Sequence, residues 1–164
     1  MDGRAILAEL PRLRRYARAL VGERAAADDL VQDTLERAWA RSAQWQADSN
    51  LRAWLLTIMH HLRADQLRRR SLPLASADEN ELPCRPTQSD GLELDALAAA
   101  IGQLPEEQRA VLLLVALEEM RYADVASTLS IPLGTVMSRL ARARERLRQI
   151  LDDDAGGTRL RVVQ

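Results

Sequence analysis

The chain has 164 residues and a net charge of −1 at pH 7, so its overall charge does not indicate a nucleic-acid partner. Hydrophobic residues make up 47% and aromatic residues only 3%, which predicts a core of aliphatic side chains. The single cysteine, Cys84, excludes an internal disulfide and a thiolate metal cluster. No apolar run approaches the roughly 20 residues of a membrane span, and the N-terminus lacks a signal-peptide pattern, so we expect a cytoplasmic protein without a membrane span.

Two helices are predicted near the N-terminus. In the first, apolar residues recur at steps of three and four, at Ile6, Leu10, Leu13, Ala17 and Leu20. Pro11 predicts a break or a new helix start, and Gly22 predicts the end of this helix. The second helix is expected at residues 25–42, with Asp28 and Asp29 in its first turn, where the helix dipole favours acids. Its expected buried stripe is Leu30, Val31, Thr34, Leu35, Ala38 and Trp39.

A third helix is predicted at residues 50–70, after a loop in which Asp48 or Ser49 serves as the N-cap. Its expected inward residues are Leu51, Trp54, Leu55, Ile58, Leu62 and Leu67. From residue 71 to residue 91 the helical pattern vanishes among prolines, polar residues and acids. Because a loop of this length is unusual inside one compact domain, we predict a flexible linker there.

The helical pattern then returns, and no strand pattern appears anywhere in the sequence. The later helices are predicted at residues 92–101, from Pro105 to Leu117, at 122–129 and at 133–151. Glu106 and Glu107 fall in the first turn after Pro105. We therefore predict an all-α fold of two small helical domains. Their boundaries are residues 1–70, the flexible linker 71–91, residues 92–152 and a frayed tail at 153–164.

The last two predicted helices are joined by a tight turn at residues 130–132, as in a helix-turn-helix. Small Ala126 lets the helices approach, and Ile131 fills the core beneath the turn. The expected inward residues of the second helix are Val136, Leu140 and Leu147. Residues 135–150 hold five arginines against one acid, Glu145. Such a helix enters the major groove, where arginine reads guanine or holds phosphates. The alternative is a bundle helix whose basic face is merely solvated.

Charge alternates in blocks along the chain. Residues 23–36 carry five acids against one arginine, and residues 63–70 carry four arginines against one acid. Another acidic block precedes the basic helix at the C-terminus. Ordinary solvated helix faces explain such blocks equally well. An acidic face opposite a buried one nevertheless favours a basic partner.

Three motifs carry a family resemblance. Residues 104–109, Leu-Pro-Glu-Glu-Gln-Arg, followed by residues 122–147, resemble region 4 of bacterial sigma factors. Residues 28–39 resemble the polymerase-binding helix of sigma region 2, and residues 51–58 resemble the promoter-reading segment that follows it. The order of the motifs and the short linker resemble the extracytoplasmic function (ECF) group, with residues 50–58 closest to its general stress response members.

This resemblance implies a transcription initiation factor rather than an enzyme, with no cofactor and no small-molecule substrate. The implied partners are core RNA polymerase, through the β′ clamp and the β flap, promoter DNA and an anti-sigma factor. The residues implied to face the β′ clamp are Asp28, Asp29, Gln32, Asp33 and Glu36. Those implied for the minus-10 element are Asn50, Arg52, His61, Arg63, Arg68, Arg69 and Arg70. Those implied for the minus-35 element are Thr135, Met137, Ser138, Arg139, Ala141, Arg142 and Arg144.

The chain departs from the family pattern at three positions. His61 stands where the family usually has asparagine, which puts its role in holding a base in doubt. Met137 replaces a frequent basic residue, so base preference should shift at one promoter position. Ser130 replaces a common turn glycine, which is mild provided that the backbone there is not left-handed. A metal site at His60 and His61 is not expected, because adjacent residues on a helix diverge.

Three other functions compete with this interpretation. A stand-alone helix-turn-helix regulator would leave the acidic helix at residues 28–36 without a role. A sigma-like mimic that sequesters an anti-sigma factor usually loses the basic residues of the recognition helix, whereas five arginines remain here. An enzyme is disfavoured, because the sequence has no phosphate-binding loop, nucleophile elbow or metal-ligand spacing.

Overall fold

The structure of the chain is a computed structural model that describes residues 2–46, 49–71 and 92–159. These parts contain seven α-helices and a short 3-10 helix and no strand, which confirms the predicted all-α fold. The helices are α1 (Gly3–Val21), α2 (Arg24–Ala40), the 3-10 helix (Ser42–Gln44), α3 (Leu51–Ser71), α4 (Leu92–Gly102), α5 (Glu106–Ala116), α6 (Tyr122–Leu129) and α7 (Leu133–Arg159). Residues 72–91 of the predicted linker, with Cys84, lie outside the described residues.

The boundary between α1 and α2 is set by Gly22 and Glu23. Gly22 adopts a φ of 86°, and its N–H donates to the carbonyl four residues earlier at 2.9 Å, so α1 ends as predicted. The Glu23 carboxylate accepts hydrogen bonds of 2.7 and 2.6 Å from two N–H groups of the first turn of α2. Since this cap starts α2 at Arg24, the predicted place of Asp28 and Asp29 in the first turn is wrong.

Helix α1 continues through Pro11, so the predicted break there is wrong. Proline has no N–H to donate to the carbonyl of Leu7, one turn earlier. Both residues are exposed, Leu7 by 66%, so the carbonyl that loses this donor lies on the solvent side of the helix, where water can hydrogen-bond to it. The opposite side, with Leu13 and Leu20, is fully packed.

Helix α3 is capped one residue later than predicted. The Asn50 side-chain oxygen accepts from the Ala53 N–H at 3.2 Å, while Ser49 donates instead to the carbonyl of Gln46. Asp48, the other predicted cap, lies outside the described residues. Most of the predicted inward residues of α3 are buried or half-buried, but Leu67 is exposed.

The turn between α6 and α7 is left-handed at Ser130, with φ 54° and ψ 44°. The condition under which serine would be a mild replacement is therefore not met, and serine there is strained relative to glycine. The Ile131 N–H donates to the carbonyl of Ala126 at 3.0 Å, and Ile131 packs against the core as predicted. Helix α7 continues to Arg159, so the predicted frayed tail does not begin at residue 153.

The hydrophobic core is continuous between the N-terminal half (α1–α3) and the C-terminal half (α4–α7). Helix α1 packs on α4 and α5, and α3 packs on α6. Leu13, Tyr16 and Leu20 of the first half belong to the same buried cluster as Val111 and Leu114 of the second. The two halves are therefore in direct contact, and one face of α3 lies against the C-terminal half.

Candidate functional site

Helix α2 presents an acidic face to solvent. Asp29, Gln32, Asp33 and Glu36 are exposed, and the Gln32 amide donates to the Glu36 carboxylate at 3.0 Å across one turn. Asp28 is half-buried, 3.6 Å from the Arg18 guanidinium. The other side of α2 is packed into the core through Ala27, Leu30, Val31, Thr34 and Ala38. The five residues implied for polymerase binding therefore lie on one helix, four of them fully exposed.

Trp39 extends this acidic face instead of the buried stripe. It is 62% exposed, so its predicted burial is wrong. Helical periodicity explains the position, because Trp39 follows Gln32 by seven residues and Glu36 by three. Ala38 fills the inward position of this turn and is fully buried. The spacing of three and four residues that links Gln32, Glu36 and Trp39 is the sequence signal that could have predicted an exposed Trp39.

The recognition helix α7 exposes a basic surface. Ala141, Arg142 and Arg144 are exposed, and Met137 is 54% exposed. The opposite face is anchored by the buried residues Val136, Leu140 and Ala143. Three other residues implied for the minus-35 element are only half-buried: Thr135, Ser138 and Arg139.

Arg139 forms an ion pair within the C-terminal half. Its guanidinium lies 3.0 Å from the Glu107 carboxylate of α5. The Ser138 hydroxyl similarly donates to the Thr135 carbonyl at 3.2 Å. Among the residues implied for the minus-35 element, Arg142 and Arg144 therefore contribute the exposed cationic groups.

The residues implied for the minus-10 element fall into two groups on α3. The exposed group consists of Asn50, His61, Arg68, Arg69 and Arg70. Arg52 and Arg63 instead form ion pairs with carboxylates outside α3. Arg52 donates to Glu9 of α1 at 3.0 Å and lies 3.9 Å from Glu118.

Arg63 is buried, with 8% exposure, against the start of α5. Its Nε and Nη2 donate to the two carboxylate oxygens of Glu106 at 2.7 and 2.8 Å. Nη1 lies 3.5 Å from the side-chain oxygen of Gln66. Arg63 is therefore buried against a carboxylate in this structure, whereas the resemblance implied an arginine available for a phosphate.

A cleft of about 240 Å³ lies between the end of α2 and the middle of α3. Arg37 of α2 and Arg41, which follows that helix, line it on one side, and His61 and Arg68 of α3 line it on the other. Asp65, which pairs with Arg68, adds one acid to this basic lining. The sequence prediction missed Arg37 and Arg41 because it considered α2 only for its acidic face.

Buried polar groups lie beneath the contact between the halves. Tyr16 Oη is 2.7 Å from His60 Nε2 and donates weakly to the Ala110 carbonyl at 3.5 Å. Burial, aided by the nearby His61, lowers the pKa of His60 to about 4. Burial also raises the pKa of Tyr16, with the carboxylates of Glu118 and Glu106 adding to the effect. His60 is thus a neutral hydrogen-bonding residue at neutral pH.

Glu118 follows α5 and is enclosed by the N-terminal half. Its side chain is only 2% exposed, between Arg15 at 3.8 Å and Arg52 at 3.9 Å. Burial raises the pKa of this carboxyl group, while Arg52 and Arg15 oppose the shift. The Oε1 atom has no hydrogen-bond partner among the described residues. Those residues also hold no group of three or more metal-ligating side chains.

Two family patterns match the chain, in the order that the helices suggest. The Sigma2 domain of PhyR matches residues 6–60, which cover α1, α2 and the first part of α3. Sigma-70, region 4 matches residues 94–147, which include the helix-turn-helix. The fold and these matches define a protein of the sigma-70 class with regions 2 and 4.

Relatives of known identity narrow this class. The ECF RNA polymerase sigma factor EcfG of Rhodopseudomonas palustris (strain TIE-1) is 40% identical over 149 residues, covering 89% of this chain and 82% of EcfG. SigC of Mycobacterium tuberculosis (strain CDC 1551 / Oshkosh), also an ECF sigma factor, is 38% identical over 133 residues, or 79% and 72% of the two chains. The sigma factor RpoE from Bartonella quintana, solved with the anti-sigma factor NepR, superposes with a TM-score of 0.76 at 34% identity, covering 91% of this chain and 95% of RpoE.

The chain therefore belongs to the ECF RNA polymerase sigma factors. It is a transcription initiation factor that binds core RNA polymerase and directs it to promoters. Within the described ranges, no helix combines the length and apolar character needed to cross a membrane.

Proposed function

We propose that core RNA polymerase binds the exposed face of α2 through Asp29, Gln32, Asp33 and Glu36, with Asp28 at its edge. The observation that carries this proposal is a row of exposed acids on a helix whose opposite face is buried. Such a face complements a basic partner, here the β′ clamp. Trp39 adds an exposed aromatic ring at one end, and tryptophan is among the residues that contribute most to binding when an interface buries them.

The minus-35 element is proposed to bind α7. Met137, Ala141, Arg142 and Arg144 supply its exposed surface, while Thr135, Ser138 and Arg139 lie at its margin. Early residues of a recognition helix reach base edges, and later arginines hold phosphates. Met137 offers apolar contact where a basic residue would donate hydrogen bonds, which should favour contact with a thymine methyl group.

The minus-10 element is proposed to use the cleft between α2 and α3. Opening the duplex costs a few kcal/mol of stacking per extruded base, which a pocket with hydrogen-bonding groups offsets. His61 supplies an imidazole there, and Arg37, Arg41 and Arg68 supply positive charge for the adjacent phosphates. Asn50, Arg69 and Arg70 extend this surface along α3, and Arg52 and Arg63 join it once their carboxylate partners are removed.

Control by an anti-sigma factor is proposed from the structural relative solved with NepR. The matches to EcfG and to the Sigma2 domain of PhyR support placement near the general stress response subgroup. The proposed action consists of binding and positioning without covalent chemistry, in the cytoplasm where RNA polymerase acts.

Charge reversal on α2 tests the polymerase contact. Asp29→Arg should weaken binding to core polymerase at least about tenfold while circular dichroism remains unchanged, because the new charge repels a basic partner. Asp152→Arg, which reverses an exposed acid on α7, is the matched control and should retain wild-type affinity. Wild-type affinity in Asp29→Arg would contradict the assignment of this face to polymerase.

A further inference from the structure

Helices α1 and α2 form an antiparallel hairpin whose two exposed faces are neighbours. Only Gly22 and Glu23 separate the helices, which pack on each other, so the helices run in opposite directions. Both helices bury their inner residues in the same cluster, to which α1 contributes Leu13 and α2 contributes Leu30. Their exposed faces therefore point away from one common core and lie side by side.

The exposed face of α1 is basic and takes no part in the contacts proposed with polymerase or promoter DNA. Its exposed arginines are Arg4, Arg12, Arg14, Arg15 and Arg18. The one acid of this helix, Glu9, is half-buried and accepts a hydrogen bond from Arg52 of α3. The acids exposed on the neighbouring face of α2 are Asp29, Asp33 and Glu36. A basic face thus lies beside an acidic face, and Arg18 and Asp28, 3.6 Å apart, join the two.

Two large apolar side chains are exposed at the same end of the hairpin. Leu7 is 66% exposed near the start of α1, and Trp39 is 62% exposed near the end of α2. Leu7 precedes Arg18 by 11 residues, and Trp39 follows Asp28 by 11 residues. Because the contact between Arg18 and Asp28 sets the level of one helix against the other, Leu7 and Trp39 lie at one level, about 16 Å along the helices from that contact.

We infer that two copies of the chain pair through the hairpin, with α1 of each copy facing α2 of the other. A two-fold axis parallel to the helices produces both contacts at once and closes the assembly at a dimer. This rotation keeps every residue at its own level along the hairpin. The arginines of α1 therefore face the acids of α2, and Leu7 of each copy faces Trp39 of the other.

A second copy fits this surface better than a nucleic acid does. A phosphate backbone on the arginines of α1 would run beside the carboxylates of α2, which repel it, and would leave Leu7 without an apolar contact. The hairpin of a second copy instead supplies acids and an aromatic ring at the matching levels. The net charge of −1 adds little repulsion between the copies.

The dimer covers the acidic face of α2 that is proposed to bind polymerase. This consequence rests on the proposed function, whereas the dimer rests on the two faces of the hairpin alone. Since the interface is small and mostly charged, we expect a weak dimer that forms at micromolar and higher concentrations and is weakened by salt. Polymerase at nanomolar concentrations therefore binds the monomer, and pairing withholds the acidic face only where the chain is abundant.

Sedimentation equilibrium of the full chain, from micromolar to submillimolar concentrations, tests the dimer. The wild type should form dimers in low salt, and raising NaCl from about 0.05 to about 0.5 M should weaken them at least about fivefold. Arg14→Glu and Asp33→Arg should each stay monomeric, but an equimolar mixture of the two should form dimers, because each reversed face then meets the opposite charge. Arg146→Glu reverses an exposed arginine of α7 and is the matched control, which should associate like the wild type.

The inference fails if the wild type stays monomeric in low salt, or if the mixture of Arg14→Glu and Asp33→Arg does. It also fails if Arg14→Glu associates like the wild type and binds a random-sequence DNA duplex more weakly, which would assign the basic face to DNA. Binding to core polymerase at nanomolar concentration separates this inference from the proposed function. Loss of dimers without loss of polymerase affinity in Asp33→Arg would leave the dimer standing and refute the polymerase face. Loss of polymerase affinity in Asp33→Arg beside a monomeric wild type would refute the dimer alone.

Discussion

Helices α3 and α7 are both rich in arginine, yet they differ in how much of that charge is available. On α7, Arg142 and Arg144 are exposed above a buried apolar face. On α3, Arg63 is enclosed by α5 and Arg52 is engaged by carboxylates. The difference arises from tertiary packing, because α3 faces the other half of the chain whereas the arginine face of α7 is open to solvent. An arginine block in a sequence therefore predicts a charged surface only where no distant carboxylate reaches it.

The largest expected effect is the loss of the Arg63 side chain. Arg63→Ala should lower the free energy of unfolding by about 3 kcal/mol, because it leaves the Glu106 carboxylate without its partner in a largely buried site. Urea denaturation measures this loss. The double variant Arg63→Met with Glu106→Leu should recover most of it, since an apolar pair carries no desolvation cost. Arg142→Ala on α7 is the matched comparison and should change stability by less than about 0.5 kcal/mol. Equal losses of stability in Arg63→Ala and Arg142→Ala would contradict the difference proposed between α3 and α7.

Trp39→Ala should weaken binding to core polymerase by about 2 kcal/mol, roughly 30-fold, because an exposed aromatic anchor would lose its apolar contact with the partner. Surface plasmon resonance with immobilised core polymerase provides the measurement. Leu7→Ala removes a similarly exposed apolar side chain from α1 and should bind normally. Unchanged affinity in Trp39→Ala would restrict the polymerase surface to the acidic residues.

Protonation of His60 should destabilise the N-terminal half in acid. The pKa of His60 is lowered from 6.5 to about 4 by burial, so the unfolded chain binds the proton more readily than the folded chain. The stability from neutral His60 is complete above pH 6.5 and is lost as pH falls toward 4, by on the order of 2 kcal/mol. The raised pKa of Glu118 has the opposite effect, because it favours the folded chain as pH falls. The contribution of His60 is therefore isolated by comparing the wild type with His60→Gln. A pH dependence of unfolding that is as steep in His60→Gln as in the wild type would rule out this role.

Ser130→Gly should produce the smallest effect, a gain in stability of about 0.5–1 kcal/mol. Glycine adopts the left-handed φ of 54° without the steric cost that serine has there. The melting temperature measures the gain. Ser127→Gly, within α6, is the control and should lower it, because glycine is unfavourable in a helix interior. A lower melting temperature for Ser130→Gly would show that the serine side chain makes a stabilising contact.

Local signals in the sequence predicted most of the helices, but not which helix faces pack against one another. Gly22 and Pro105 set helix boundaries because their backbone restrictions act within a few residues. Trp39 was misassigned because it is adjacent to Ala38 on α2, and the sequence pattern did not show which of the two side chains points inward. The smaller Ala38 is the one that is buried. Arg63 could not be assigned from sequence, since its partner Glu106 is 43 residues away. The residue-level assignments to polymerase and to DNA therefore stay predictions, resting on exposure and charge.

The most direct test of a promoter-directing role is transcription by core polymerase on a genomic DNA library with the purified chain added. Sequencing of the transcript starts should reveal a small set of promoters that share two spaced elements. Arg142→Ala should reduce transcription from this set while leaving binding to core polymerase intact, because the contact proposed for Arg142 is with the upstream promoter element. Starts that are the same with and without the chain would contradict the role, as would equal loss of transcription and polymerase binding in Arg142→Ala.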